Sequence, residues 1–285
     1  MSGAPHFGIS QITTLPASFD DDARAYAAAG AAALGVWEIK LGETGDAAAL
    51  EALERHGLAS AAAVPAIPSI LPIPLGGPQE PAERVEAICR SLERLAPFRP
   101  SAVVCLTGGA GGRGADDARA VVVDGLATVA REAERLGLRV GLEPYQRLDG
   151  GDWSVAHTIR DAVGLIEDAG DPPALGILFD VWHLWNDEGV YDDLERHGGR
   201  LVGVHVCDYR APTRGFADRV LPGDGVADVS RLLRAVHGAG WSGYDEIEIF
   251  SDNGTFGSAY EDSLWDLPAE ELARRARDSY AEAVA

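Results

Sequence analysis

Val140-Gly-Leu-Glu-Pro-Tyr145 is the stretch of this 285-residue chain that decides its fold. Its apolar and small residues are typical of a short strand buried in a parallel sheet. Pro144 has no amide hydrogen to continue the pairing, so the strand ends with the carboxylate of Glu143 at its mouth. A buried carboxylate is costly unless it is paired or binds a cation. The stretch therefore predicts a strand that carries a functional acid at its carboxyl end.

The same design recurs three times further along the chain. The run 175–180 ends in an aspartate, the run 201–205 ends in a histidine, and the run 244–250 contains a glutamate near its end. Carboxylate oxygens together with one imidazole form a ligand set that suits a divalent cation. The candidate metal ligands are Glu143, Asp180, His205 and Glu248.

Short apolar runs alternate with helical stretches along the whole chain. The predicted strands are 6–10, 34–40, 58–64, 101–106, 140–143, 175–181, 201–206 and 244–250, and the predicted helices are 20–30, 46–57, 83–95, 115–136, 155–169, 191–197, 226–239 and 268–284. Eight such units favour an α/β fold with a single closed (β/α)8 TIM barrel, and a doubly wound open sheet is the alternative. The barrel is preferred because the polar ends of strands five to eight would then open onto one face. We expect one domain over residues 1–285.

Composition and charge narrow the class of protein. Hydrophobic residues make up 46% of the chain, which is enough for a large core, and the formal net charge is −21. A surface this acidic repels phosphate backbones, so we expect no nucleic-acid partner. The N-terminus lacks a basic region followed by an apolar one, and no apolar run is long enough to span a bilayer. We therefore expect a cytoplasmic protein with no membrane partner, and reduced thiols at Cys89, Cys105 and Cys207.

Five motifs together resemble the xylose isomerase-like superfamily of sugar isomerases and epimerases. They are Gly141-Leu-Glu-Pro144, Phe179-Asp-Val-Trp-His183, Gly203-Val-His-Val-Cys-Asp208, Arg219-Val-Leu-Pro-Gly-Asp-Gly-Val-Ala-Asp228 and Ile247-Glu-Ile-Phe250. The resemblance covers most of the chain and is strongest from 138 to 252. It implies one divalent metal ion, with manganese as the first choice and magnesium, cobalt or zinc as alternatives.

The resemblance also implies roles for individual residues. Glu246 and Glu248 lie on the same face of the last strand, and the family pattern favours Glu248 as the ligand because Ile-Phe follows it. Among ketose epimerases, the residues that match Glu143 and Glu248 both hold the metal and transfer protons. The residues that match His183 and Arg219 touch the sugar.

In this interpretation the metal polarises a hydroxy-ketone and stabilises the enediolate, while one carboxylate removes a proton and the other returns it. The predicted function is a divalent-metal-dependent isomerase or epimerase of a sugar, polyol or sugar phosphate. One alternative is a lyase on the same scaffold, either inosose dehydratase-like or C-glycoside-cleaving. Another alternative is a barrel that binds sugar without turnover.

Two further residues are candidates for substrate contact. His6 lies on the first predicted strand, and a satisfied core histidine is an equally good interpretation. Lys40 lies near the end of the second predicted strand, on the same face as Glu38, so it either faces a substrate oxygen or forms an ion pair with Glu38. The expected partner is a small sugar or polyol, and a homo-oligomer remains open.

Overall fold

Short parallel strands form the centre of the molecule. The computed structural model describes residues 6–42, 45–147 and 152–285. Its strands in these ranges are β1 His6–Ser10, β2 Ala33–Trp37, β3 Ala59–Val64, β4 Ala102–Cys105, β5 Val140–Leu142, β6 Leu175–Asp180, β7 Leu201–Val206, β8 Asp208–Tyr209, β9 Arg219–Val220 and β10 Tyr244–Ile247. Eight of them close into a barrel in the order β1-β10-β7-β6-β5-β4-β3-β2, while β8 and β9 form a separate antiparallel ribbon. The prediction of a (β/α)8 barrel is confirmed.

Helices surround the barrel. Within the same ranges they are α1 Phe19–Ala28, α2 Asp46–His56, α3 Pro81–Leu95, α4 Ala115–Leu136, α5 Ile159–Asp168, α6 Val181–Leu184, α7 Val190–His197, α8 Val229–Gly238 and α9 Ala269–Ala283. α4 ends at Gly137, whose φ of 69° is left-handed and favours glycine. In the described part of the chain, no helix is both long and apolar enough to cross a bilayer.

Capping side chains fix two helix starts that the apolar pattern misplaced. α5 begins at Ile159 rather than 155, because Thr158 and Asp161 form a reciprocal capping box. α8 begins at Val229 rather than 226, because the Asp228 side chain accepts the amide hydrogen of Arg231. The short helix α6 and the ribbon of β8 and β9 have no counterpart among the predicted elements.

The second predicted strand was wrong at its end. β2 stops at Trp37, and Glu38–Lys40 forms a 3-10 turn. Oε2 of Glu38 accepts hydrogen bonds from the Ala66 amide and the Ser91 hydroxyl, which draws this carboxylate away from the strand direction. Local side-chain bonds of this kind compete with strand pairing.

The hydrophobic core of the described residues has three clusters. The largest packs the outward faces of the strands against the helices, and a smaller one fills the inside of the barrel. The third contains Ile12, Ala217, Phe250 and Trp265. Inside the barrel, Gly35 makes room for a buried acid, because a β-carbon at this position would lie 1.6 Å from Oε1 of Glu246. This glycine is required by close approach and not by an unusual backbone angle.

We expect Gly35→Ala to lower the free energy of unfolding by about 1–3 kcal/mol through overpacking. Urea denaturation followed by circular dichroism measures this change. Gly199→Ala is the matched control, because no atom lies within 4 Å of the β-carbon that it adds. Equal stabilities of the two variants would contradict the close packing at Gly35.

Candidate active site

Four buried side chains meet at the carboxyl end of the barrel. Glu143 follows β5, Asp180 closes β6, His205 lies in β7 and Glu248 follows β10. These four strands are consecutive neighbours in the barrel, so their ends lie side by side. One ligand atom from each residue lies within 4.8 Å of the other three. The structure therefore brings together all four residues that the sequence singled out as metal ligands.

Polar atoms of this cluster lack hydrogen-bond partners. Oε1 of Glu143 and both ring nitrogens of His205 are buried and unpaired. Nδ1 of His205 lies 3.5 Å from Oε1 of Glu143 and 3.3 Å from Oε2 of Glu248. Leaving such atoms unsatisfied away from water costs about 1–3 kcal/mol each. Oxygens and one imidazole nitrogen that converge in this way fit a divalent cation.

Arg219 neutralises part of the negative charge of the cluster. Its Nη1 donates hydrogen bonds to Oδ2 of Asp180 and Oε2 of Glu248, both at 2.9 Å. The guanidinium carbon lies 5.1 Å from the ring centre of Trp182 and 4.7 Å from that of Phe250. Three carboxylates and one guanidinium leave two negative charges if His205 is neutral, and a divalent cation would balance them. The net charge of the cluster and its set of donor atoms therefore both suit a divalent cation.

Burial and neighbouring charges shift the pKa values of the cluster in different directions. Burial raises the pKa of Glu143 to about 8, and the neighbouring carboxylates Asp180 and Glu248 add to the increase. For Glu248 burial also favours the neutral form, but His205 and Arg219 outweigh it, and the pKa is lowered. Burial acts against a charge on His205, yet Glu248 and Glu143 raise its pKa well above the ordinary value. Without a cation, protons therefore take up part of the excess negative charge.

His183 lies beside the cluster and faces the same cavity. Its Nε2 is 3.6 Å from Oδ2 of Asp180 and 3.5 Å from Nη2 of Arg219. The ring of Tyr145 stacks on it with centroids 3.5 Å apart. Burial, together with the charge of Arg219, lowers the pKa of His183 well below its ordinary value, so the imidazole is neutral. A neutral imidazole at this position is suited to hydrogen bonding with a hydroxyl group.

Glu246 lies one layer deeper in the barrel than Glu248. Its Oε2 accepts the amide hydrogen of Ala62 at 2.9 Å and lies 3.9 Å from Nε2 of His205. Glu246 therefore lies beside Nε2 of His205, whereas Glu248 lies beside Nδ1, the nitrogen that also approaches Glu143. The geometry favours Glu248 over Glu246 as the ligand.

Asp208 is a supporting residue whose role the sequence did not reveal. Its carboxylate accepts hydrogen bonds from the amides of Gly223, Gly225 and Ala227 at 2.9, 3.1 and 2.9 Å. It thereby fixes the loop that follows β9 and the ribbon that carries Arg219. A β-carbon at Gly225 would lie 2.4 Å from Oδ1 of Asp208. Both sides of this contact lie in motifs that the sequence showed, but the sequence did not show that Asp208 binds the Pro-Gly-Asp-Gly segment.

Two predicted substrate contacts, His6 and Lys40, are wrong, because the fold does not bring them to the site. His6 begins β1 and pairs with Tyr244 at the start of β10, so it lies at the amino end of the barrel, opposite the cluster. Nζ of Lys40 donates hydrogen bonds to Oδ2 of Asp22 at 2.5 Å and to the Thr14 carbonyl. Lys40 therefore pairs with Asp22 and not with Glu38, and this ion pair holds α1 against the 3-10 turn that follows β2.

A cavity of about 200 Å³ opens directly above the cluster. Its floor is formed by Glu143, His183, His205, Arg219 and Glu248. Its walls are formed by apolar side chains, among them several aromatic rings. A concave apolar pocket with a few convergent polar groups is the usual form of a small-molecule site.

Residues 23–283 match the family model described as a xylose isomerase-like TIM barrel. The chain belongs to this family. Two curated relatives are a 3-dehydroshikimate dehydratase of Pseudomonas putida, 30% identical over 144 residues, and an inosose isomerase of Bacillus licheniformis, 24% identical over 173 residues. The alignments cover 46% of this chain and 21% of the dehydratase, and 59% of this chain and 57% of the isomerase.

Solved structures superpose over nearly the whole chain. A crystal structure from Sinorhizobium meliloti 1021 is 25% identical, has a TM-score of 0.84 and covers 98% of both chains. A crystal structure of the IolI protein with a bound zinc atom is 18% identical, has a TM-score of 0.79 and also covers 98% of both chains. At this identity the second likeness shows the fold alone.

The four-residue cluster predicts how metal content responds to substitution. We expect Asp180→Asn and His205→Ala to lower manganese affinity at least tenfold, because each removes a charge or donor atom at the point of convergence. Isothermal titration calorimetry and elemental analysis measure this loss. His6→Ala is the control and should keep the full affinity, because His6 lies at the other end of the barrel. Unchanged affinity in both cluster variants would refute the assigned site.

The raised pKa of Glu143 predicts that metal stabilisation depends on pH. Its folded-state pKa of about 8 lies above the unfolded value, so its protonation favours the folded, metal-free protein at low pH. This contribution is lost as pH rises toward 8, where protons also stop competing with the cation. At a fixed manganese concentration, the increase in melting temperature over a chelated sample should be larger at pH 8 than at pH 6. Glu143→Gln should reduce this difference, and a larger increase at pH 6 would contradict the analysis.

Proposed function

We propose that the protein is a divalent-metal-dependent isomerase or epimerase of a sugar or polyol. The observation that carries the proposal is the pair Glu143 and Glu248, which face one cavity from strands separated by β6 and β7. Their pKa values are shifted in opposite directions, raised for Glu143 and lowered for Glu248. Opposite shifts in neighbouring carboxyl groups are the usual basis for dividing acid and base roles.

The residues of the cluster divide the work in this proposal. Glu143, Asp180, His205 and Glu248 would hold the cation, with manganese as the first choice and zinc, magnesium or cobalt as alternatives. When bound, the cation would supply a Lewis acid that polarises a carbonyl oxygen and makes the neighbouring C–H bond acidic. One of the two carboxylates, Glu143 or Glu248, removes this proton, and the other, protonated, returns a proton from the other side.

Two further side chains orient the substrate. Neutral His183 offers a hydrogen bond to a hydroxyl group, and the stacked ring of Tyr145 holds its plane. Arg219 keeps Asp180 and Glu248 in place, and its Nε is buried without a hydrogen-bond partner. The apolar walls of the cavity exclude water, which strengthens each of these polar interactions.

The comparisons support an isomerase among several related activities. The inosose isomerase of Bacillus licheniformis acts, by its name, on a keto derivative of a cyclic polyol, which carries an acidic proton beside a carbonyl group. The activity, a cytoplasmic location, a single domain over 1–285 and a homo-oligomeric state remain proposals for this chain.

A lyase reaction is the second candidate, because one relative is a dehydratase. Removal of the same proton followed by expulsion of a β-hydroxyl or β-aglycone would use the same base. A panel of ketoses, inososes, keto-glycosides and sugar phosphates in deuterium oxide separates the two. Deuterium uptake without loss of water or aglycone supports the isomerase, and loss of either group supports the lyase. A protein that binds sugar but catalyses neither reaction would be a binding barrel.

The acid–base pair predicts distinct defects in two isosteric variants. Glu143→Gln and Glu248→Gln should each lower turnover by about 10²-fold or more, because glutamine keeps an oxygen ligand but its amide cannot take up or release the transferred proton. One of the two variants should still exchange the substrate proton with solvent without forming product, because abstraction survives when only the returning acid is lost. Nuclear magnetic resonance of the substrate in deuterium oxide measures both quantities.

Glu246→Gln is the matched control for these variants. It makes the same substitution on the same strand face at similar burial, and glutamine can still accept the Ala62 amide hydrogen. We expect it to lower turnover by less than tenfold. If Glu143→Gln and Glu248→Gln turn over as fast as this control, the two-carboxylate mechanism is wrong.

A further inference from the structure

Large apolar side chains are exposed around the mouth of the cavity. Within the described residues, Ile39 is 53% exposed, Leu75 is 50% exposed and Phe256 is 36% exposed, and all three line the cavity. They come from three separate segments, which follow β2, β3 and β10. We call these three residues the apolar rim. Exposed apolar groups that are contiguous with a cavity usually mark a binding surface.

The turn that carries Ile39 reverses the usual placement of polar and apolar groups. Its charged neighbours Glu38 and Lys40 are turned inward, where the Ser91 hydroxyl and the Asp22 carboxylate bind them. Ile39 is left pointing out between them. Two buried polar anchors thus hold an isoleucine in solvent at the mouth of the cavity.

Leu75 is held in place by a buried arginine. Arg84 is fully buried and donates hydrogen bonds to the carbonyls of Ser69, Gly76 and Pro78. These bonds fix both ends of the segment that contains Leu75. Leu75 is therefore exposed on a segment whose backbone is held in place by hydrogen bonds.

Phe256 is held in a third way. The carboxylate of Asp252 accepts hydrogen bonds from the amides of Gly254, Phe256 and Ser258 at 3.0, 2.9 and 2.7 Å. The ring of Phe256 also packs against Phe216 with centroids 5.4 Å apart. All three members of the apolar rim are therefore positioned by buried polar groups.

The path from the apolar rim to the cluster is also apolar. Aromatic rings of Trp37, Tyr145, Trp153, Phe216 and Phe250 line the cavity between them. Two arginines line it as well, but Arg219 is bound to Asp180 and Glu248, and Arg84 is bound to backbone carbonyls. Both arginines among the described lining residues are therefore already engaged, and two carboxylates offset the charge that Arg219 could offer to a phosphate group.

We propose that the substrate is an unphosphorylated keto sugar that carries an apolar, aromatic substituent. The sugar ring lies over Glu143 and Glu248, and the substituent lies between the rings of the cavity and the apolar rim. The sugar end of this proposal rests on the proposed function. An aromatic group is favoured over an aliphatic one because ring–ring packing adds to the burial of apolar area. A small-molecule substituent is favoured over a second protein copy because the apolar rim is continuous with the cavity floor.

Paired glycosides test the substituent without any turnover. Phenyl and methyl β-glycosides of glucose, galactose and xylose are titrated into the manganese-supplied protein by calorimetry. In at least one pair the phenyl glycoside should bind about tenfold tighter or more than its methyl counterpart. If no phenyl glycoside in the panel binds more tightly than its methyl counterpart, the proposal is overturned.

Variants of the apolar rim test whether the phenyl group binds there. Ile39→Ser, Leu75→Ser and Phe256→Ser should each lower the phenyl-over-methyl preference about threefold or more while the melting temperature and manganese content stay normal. Val284→Ser is the control, because Val284 is 43% exposed but does not line the cavity. A preference that survives all three substitutions would place the substituent elsewhere and overturn the proposal.

Further measurements distinguish a failure of this proposal from a failure of the proposed function. Equal kcat/KM values for proton exchange of the phenyl and methyl 3-keto-glucosides would refute the apolar substituent and leave the isomerase intact. A retained phenyl preference with no proton exchange on any substrate would refute the isomerase and leave the apolar site intact. Sedimentation that shows a wild-type dimer, dissociated by Leu75→Ser and without phenyl preference, would assign the apolar rim to a subunit interface and overturn the proposal.

Discussion

The concentration of negative charge at the mouth of the barrel is the constraint on which the rest of the structure depends. Glu143, Asp180 and Glu248 meet within a few ångströms in a place from which water is largely excluded. In such surroundings like charges repel strongly, and each carboxylate loses its hydration. The fold offsets this cost with one guanidinium, with Nδ1 of His205 and with a raised pKa at Glu143. With Glu143 ionised and His205 neutral, a divalent cation would balance the two negative charges that remain.

The same electrostatic logic extends outward through buried ions that fix loops. Asp208 binds three amides of the segment that follows Arg219, Arg84 binds three carbonyls below Leu75, and Asp252 binds three amides around Phe256. A buried ion with several hydrogen bonds is strongly held, because breaking any of them leaves a charge unsatisfied. These three segments are therefore held firmly above the barrel, which favours a cavity whose shape is set before a ligand binds.

Much of the architecture was accessible from the sequence, and the misses have physical reasons. Strand ends such as Glu143 and Asp180 were recognisable because a buried polar residue at the end of an apolar run costs free energy unless it has a function or a partner. The starts of α5 and α8 were missed because hydrophobic periodicity carries no information about the capping side chains of Thr158 and Asp228. His6 was misassigned although its position at the start of a predicted strand already placed it at the amino end of a parallel barrel.

The sequence by itself determined the barrel and the four residues that meet at its mouth. Parallel strands put all their carboxyl ends on one face, so residues that close such strands must gather there whatever the loops do. Tertiary structure alone decided the partners of side chains that come from connecting segments. Lys40 pairs with Asp22, Arg219 bridges Asp180 and Glu248, and Ile39 is turned into solvent. No periodicity governs these contacts, because they depend on how segments far apart in the chain are folded over the barrel.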